Sequence, residues 1–119
     1  MKKTKILIVE DESIVALDIK RTLEKLDYEI TNTAFDYQGA INSVLMNKPD
    51  LILMDVNLGK SKDGIETAKK IKSFDDIPII FLTAFSDEET INRAIQTKPV
   101  SYLIKPFKRD ELKSNIMLG

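Results

Sequence analysis

Four short apolar runs in this 119-residue chain each lead into a polar group able to do chemistry. Ile6-Leu7-Ile8-Val9 runs into Glu10-Asp11-Glu12, Leu51-Ile52-Leu53-Met54 into Asp55, Ile79-Ile80-Phe81-Leu82 into Thr83, and Tyr102-Leu103-Ile104 into Lys105-Pro106. There is no Cys and no His. That excludes disulfides, Cys/His zinc sites, thiol chemistry and any triad or phosphotransfer that needs an imidazole of its own. A nucleophile must then be a hydroxyl, an amine or a carboxylate, and a metal must be held by oxygen. Taken singly, each group has an ordinary structural explanation: acids ahead of a helix complement its dipole, and Asp55 could simply open a loop. Together they point to a site, because carboxylates gathered at one end of a buried sheet raise each other's pKa unless a cation sits among them. With oxygen ligands alone the natural cation is Mg²⁺, which takes one or two carboxylates, waters and a phosphate oxygen. A lysine opposite would balance the charge of that phosphate.

The elements that would bring these groups together follow from periodicity. The four apolar runs read as interior strands covered on both faces. Tyr28-Glu29-Ile30-Thr31-Asn32-Thr33-Ala34 alternates instead, which suits a sheet edge. Helical spacing appears between them. Val15, Ile19, Leu23 and Leu26 follow a Ser13 cap; Ala40, Val44 and Leu45 stand in a segment that must stop before Pro49; Ile65, Ala68, Ile71 and Phe74 repeat the pattern; Ile91, Ala94 and Ile95 follow Asp87; and Leu112 and Ile116 mark a short last helix. The order βαβαβαβαβα predicts a single α/β domain with one doubly wound, five-stranded parallel sheet, strand order 2-1-3-4-5, helices on both faces and the alternating second strand at an edge. In such sheets ligands bind beyond the carboxyl ends of the strands, where the strand order reverses.

Composition is that of a globular domain, with 43% hydrophobic and 31% charged residues, which excludes disordered and collagen-like classes. The net charge of −1 gives no reason to expect a nucleic-acid or polybasic membrane surface. Met1-Lys2-Lys3-Thr4-Lys5 resembles the start of a signal peptide, but the apolar run behind it is too short for one, so a cytoplasmic location is the simplest expectation.

Four segments, Ile6 to Glu12, Asp50 to Asp55, Pro78 to Ala84 and Tyr102 to Phe107, resemble in order and spacing the signature segments of the response-regulator receiver (CheY-like) domain of two-component signalling. The resemblance implies that Asp55 accepts a phosphoryl group from a phosphohistidine on a partner histidine kinase or phosphotransfer protein. It implies that Asp11, Asp55 and the backbone carbonyl of Asn57 bind Mg²⁺, with Glu10 acting through water. Lys105 and Thr83 would contact the phosphoryl oxygens, Tyr102 would be the aromatic switch, and the peptide before Pro106 would be cis. The donor imidazole, absent here, would come from the partner. The chain would be a signalling domain and not an enzyme, catalysing only its own phosphorylation and dephosphorylation, over residues 1–119, whole or cut from a longer chain.

Some positions depart from the family pattern. The loop Val56 to Gly64 is about one residue longer than usual and lacks the proline after Leu58. Lys98-Pro99 stands where many members have Gly-Ala; Val100-Ser101 stands where transcription-factor receivers often carry two acids, and the matching Arg is missing around Lys113-Ser114-Asn115, so their salt-bridged activation dimer is discounted, although a homodimer stays open. The output face of the fourth helix, fifth strand and fifth helix is expected to offer Ile91, Ile95, Val100 and Tyr102 to a partner. Asn57 and Phe85 sit at positions that tune hydrolysis in the family, and the Phe85 ring is expected to slow it. The alternatives are a receiver-like module that binds partners without phosphorylation, an Mg²⁺-dependent aspartyl phosphohydrolase, and a nucleotide or flavin module. The hydrolase is disfavoured by Asn57, where an acid is expected. The nucleotide module is disfavoured because Gly39, Gly59, Gly64 and Gly119 form no phosphate-cradling loop after a strand.

Overall fold

Five strands alternate with five helices in a computed structural model that describes residues 3–59, 62–84 and 87–119. They are β1 (Lys5–Val9), α1 (Ser13–Lys25), β2 (Glu29–Ala34), α2 (Tyr37–Met46), β3 (Leu51–Asp55), α3 (Gly64–Lys72), β4 (Ile79–Thr83), α4 (Glu88–Ile95), β5 (Ser101–Ile104) and α5 (Arg109–Leu118). All pairings are parallel, in the order β2-β1-β3-β4-β5. β1 and β3 are therefore neighbours at the point where the order reverses. Among the described residues, no helix is long and apolar enough to cross a membrane.

The continuous apolar runs divide between two cores because successive strand residues face opposite sides. Leu7, Val9, Ile52, Met54, Ile79 and Phe81 pack with Ala40, Val44, Ile65, Ala68, Ile71 and Ala94 from α2, α3 and α4. Ile6, Ile8, Leu51, Leu53, Ile80 and Leu82 pack with Ile19, Leu23, Leu112 and Ile116 from α1 and α5. β1, β3 and β4 are thus clamped from both faces, which fixes where their carboxyl ends lie.

Local details correct several sequence expectations. Ser13 is not the cap of α1: Glu12 holds the extended N-cap conformation, makes no side-chain cap bond, and Ser13 is the first helical residue. Leu26 is the C-cap of α1, and Phe74 lies beyond the C-cap Ser73 of α3, so neither belongs to its helix. Leu45 is exposed, since α2 turns Ala40, Ile41, Ser43 and Val44 inward and the next residue around points outward. β5 lies at the sheet edge, as the order 2-1-3-4-5 requires but its apolar run alone does not suggest; it pairs with β4 alone, and Ile104 is 43% exposed. β2 forms the other edge, and only Ala34 in it is buried. The expected caps Asp87 and the stop before Pro49 agree with the helix bounds, Asp87 accepting from the Thr90 amide at 2.9 Å.

Candidate functional site

Four strand ends, those of β1, β3, β4 and β5, converge at the carboxyl edge of the sheet. Glu10 follows β1 directly and is anchored by its amide, which donates to the Ala34 carbonyl at 2.9 Å. Its carboxylate is 0% exposed. Asp55 is the last residue of β3 and Thr83 the last of β4, and both are buried. Glu10, Asp11 and Asp55 bring one carboxylate oxygen each to within 4.8 Å of one another, with Asp11 on the exposed side. Lys105 closes the group from β5: its Nζ donates to Glu10 Oε1 at 2.7 Å and lies 3.7 Å from Asp55 Oδ2. The Lys105 amide donates to the Thr83 carbonyl at 2.7 Å, and the Lys105–Pro106 peptide is cis. The structure thus brings Glu10, Asp11, Asp55, Thr83 and Lys105 to one edge, while Glu12 turns away to cap α1.

The electrostatics follow from burying acids beside one another. Burial raises the Asp55 pKa, the hydrogen bond and negative charge of Glu10 raise it further, and Lys105 and the Asn57 amide oppose this only in part, leaving it about 7. Burial pushes Glu10 upward too, but hydrogen bonds from Asp55 and Lys105 outweigh it and hold Glu10 below its ordinary value. Asp11 is raised by burial and by Glu10. Burial works against the charge on Lys105, yet Glu10 and Asp55 more than compensate, so its pKa rises. Burial and the negative charge of Glu10 thus work against the ionised form of Asp55, and Lys105 offsets that only in part. The cluster is a net-acidic, oxygen-only donor set, suited to a hard divalent cation.

The loop after β3 wraps the same edge. The Asn57 amide donates to Asp55 Oδ1 at 3.3 Å, and the Gly59 amide to Asn57 Oδ1 at 3.2 Å. Gly59 has φ +68°, and a Cβ on it would stand 3.2 Å from Asp11 Oδ2, so glycine serves both the left-handed turn and the close approach. Lys60 and Ser61 of this loop, and Phe85 after β4, lie outside the described residues. Gly64 is a residue that sequence reasoning noted only as unfit for a phosphate cradle. A Cβ there would fall 2.0 Å from the Asp55 carbonyl oxygen, and its amide donates to Val56 at 2.7 Å. The N-terminus of α3 therefore seats directly on the backbone of Asp55. An isolated glycine at the start of a helix was the available signal.

Tyr102, the aromatic residue that the resemblance implies as a switch, lies beside Thr83. Tyr102 is half-buried, its ring centroid 6.4 Å from Phe81 at 55°. Burial raises its phenol pKa and a hydrogen bond with the Thr83 side chain lowers it in part. Of the expected output-face residues, Ile95 is 58% exposed, Ile91 is half-buried, and Val100 packs against the α1/α5 core. Ile104, expected inside, joins the exposed set.

Comparison with known proteins places the chain. The family model for the response regulator receiver domain matches residues 6–117. The transcriptional regulatory protein PdtaR of Mycobacterium tuberculosis is 39% identical over 115 residues, covering 97% of this chain and 56% of that protein. The transcriptional regulatory protein KdpE of Staphylococcus aureus is 38% identical over 116 residues, 96% of this chain and 48% of that protein. The chain thus spans about half the length of these curated relatives. Two solved structures superpose over nearly all of both chains. The signal receiver domain of a modulated diguanylate cyclase from Desulfovibrio desulfuricans G20 has a TM-score of 0.91 at 33% identity, with 98% of this chain and 93% of that chain covered. A two-component response regulator from Clostridium difficile has 0.89 at 30%, with 96% and 93% covered. The protein belongs to the response regulator receiver family, the receiving module of two-component signalling.

Proposed function

We propose that this receiver domain accepts a phosphoryl group on Asp55 from a phosphohistidine of a partner protein. The observation that carries the reading is Asp55 itself, a buried carboxylate at a strand end whose pKa is raised to about 7, beside two further acids and a lysine. In the transfer the P–N bond to the donor imidazole breaks as a P–O bond to an Asp55 oxygen forms, and the imidazole keeps the electron pair and takes up a proton. Such transfers pass through a loose transition state that needs positioning and neutralisation more than covalent assistance. Lys105 is placed to follow the charge from the carboxylate to the phosphoryl oxygens, and Thr83 to donate a hydrogen bond to one of them.

Glu10, Asp11, Asp55 and the Asn57 carbonyl are the groups that would hold Mg²⁺, and the surplus of carboxylates over nearby cations fits a cation there. When bound, Mg²⁺ supplies neutralisation of the acids and of the incoming phosphate. Glu10, bonded by Lys105, lies on the buried inner side of the site, and Asp11 presents its carboxylate on the exposed side. Phosphorylation draws Thr83 inward, loosens its bond to Tyr102, and so alters the face of α4, β5 and α5, where Ile95 and Ile104 are exposed for an output partner.

The test is incubation with Mg²⁺ and acetyl phosphate or phosphoramidate, followed by intact-mass measurement of the wild type and Asp55→Asn. One acid-stable, base-labile phosphoryl adduct on the wild type alone is expected. No adduct on the wild type, or the same adduct on the variant, overturns the reading. Turnover of the donor far above the decay rate of the adduct would indicate a hydrolase instead.

A further inference from the structure

Arg93 ties α4 by charge to the loop that carries the site. Its Nη2 donates to Asp63 Oδ2 at 2.8 Å, with the two side chains 37% and 29% exposed. Asp63 is not an incidental acceptor. Its other oxygen, Oδ1, caps α3 by accepting from the Glu66 amide at 2.9 Å, and its carbonyl accepts from Thr67 Oγ1 at 2.9 Å, so the carboxylate is oriented before Arg93 arrives. The next residue is Gly64, seated on the Asp55 carbonyl. α4 itself has little else to hold it: of its eight residues only Ala94 is buried. A helix with so small a buried stripe owes its position to few contacts, and an oriented, partly desolvated ion pair is a large share of them. Glu66 and Glu89 also lie near the guanidinium, and neither hydrogen-bonds it as Asp63 does.

We propose that the Asp63–Arg93 ion pair is a latch that holds α4 in its resting position against the N-terminus of α3 and opposes the rearrangement set off at Asp55. The proposal rests on the phosphoacceptor reading for its second half only. The pair braces α4 against the N-cap of α3, so a rearrangement that displaces α4 has to break it. Any contact made in one of two states and lost in the other must lower the affinity of a ligand that selects the second. Arg93 is therefore a positioning residue, acting on the site through Asp63 and Gly64 and on the output face through α4.

The first measurement is hydrogen exchange of residues 88–95 in metal-free protein, comparing wild type, Arg93→Ala, Asp63→Asn and the double variant. Asn keeps the α3 cap while removing the charge. Exchange in α4 should rise about three- to tenfold in each single variant, and no further in the double variant, since both remove one interaction. Unchanged exchange in Arg93→Ala, or additive effects, overturns the latch. The second measurement is binding of beryllofluoride with Mg²⁺, a stable phosphoryl mimic. Arg93→Ala should bind it about three- to tenfold more tightly, and Arg93→Lys should lie between the two. Equal or weaker binding overturns the opposing role. If the wild type binds no beryllofluoride and forms no adduct with acetyl phosphate, the phosphoacceptor reading fails, while the exchange data still decide the latch.

Discussion

Lys105 Nζ lies 2.7 Å from Glu10 Oε1, joining the carboxyl ends of the strands at positions one and five in chain order. Glu10 is fully buried, so this lysine is what permits a second acid, Asp55, beside it. Replacing Lys105 by Gln leaves a buried carboxylate without its cation. The variant is expected to lose about 1–3 kcal/mol in chemical denaturation, less than a fully buried pair would cost because Lys105 is partly exposed. Phosphoryl uptake from acetyl phosphate should slow about 10²-fold, the usual scale for losing one preorganised charge. Uptake at the wild-type rate would remove Lys105 from the chemistry.

Asp55 gives stability a definite pH dependence in metal-free protein. Its pKa of about 7 stands above the ordinary 3.8, so between those values the folded state holds more protons than the unfolded state. Stability must then fall as pH rises through this window. Asp11, also raised, acts in the same direction. Urea denaturation in a chelating buffer at pH 5 and pH 8 should show the wild type losing about 1–3 kcal/mol more than Asp55→Asn. Glu10, lowered, contributes with the opposite sign, and only at more acidic pH.

A cation that relieves these acids must stabilise the fold. Adding Mg²⁺ at pH 8 should raise Tm, with a stabilisation of about 2.7 kcal/mol at a hundredfold excess over Kd. The gain should vanish in Asp11→Asn and in Asp55→Asn. A shift of equal size in both variants would mean that Mg²⁺ acts elsewhere.

Gly64 tolerates no side chain where it stands. Gly64→Ala puts a methyl group 2.0 Å from the Asp55 carbonyl oxygen, so α3 or the end of β3 must move. A loss of about 1–3 kcal/mol is expected from the overpacking. Chemical-shift changes should concentrate at residues 54–58, with phosphoryl uptake slowed as well. A variant as stable and as reactive as the wild type would show that the contact is relieved at no cost.

What the sequence disclosed follows the physics of each element. β1, β3 and β4 are buried on both faces, so their apolar runs and the polar residue ending each were plain, and with them Glu10, Asp55 and Thr83. β5 misled because Tyr102-Leu103-Ile104 is as apolar as an interior strand, although Ile104 faces outward from an edge. Ser13 misled because the acids before it already complement the α1 dipole, and Glu12 takes the cap conformation without a side-chain bond. Gly64 and the Asp63–Arg93 pair depend on how α3 and α4 sit relative to Asp55. That is a tertiary relation thirty residues apart in the pair's case, and no local pattern encodes it.

The partners Glu10 and Lys105 are separated by 95 positions, nearly the length of the chain. Asp55 stands between them on β3, reached only after the chain has crossed from one side of the sheet to the other. No fragment of this polypeptide can therefore assemble the acceptor. A nascent chain, or one unzipped at either end, lacks the Lys105–Glu10 pair beside Asp55, so the proposed acceptor would exist only in the fully folded domain.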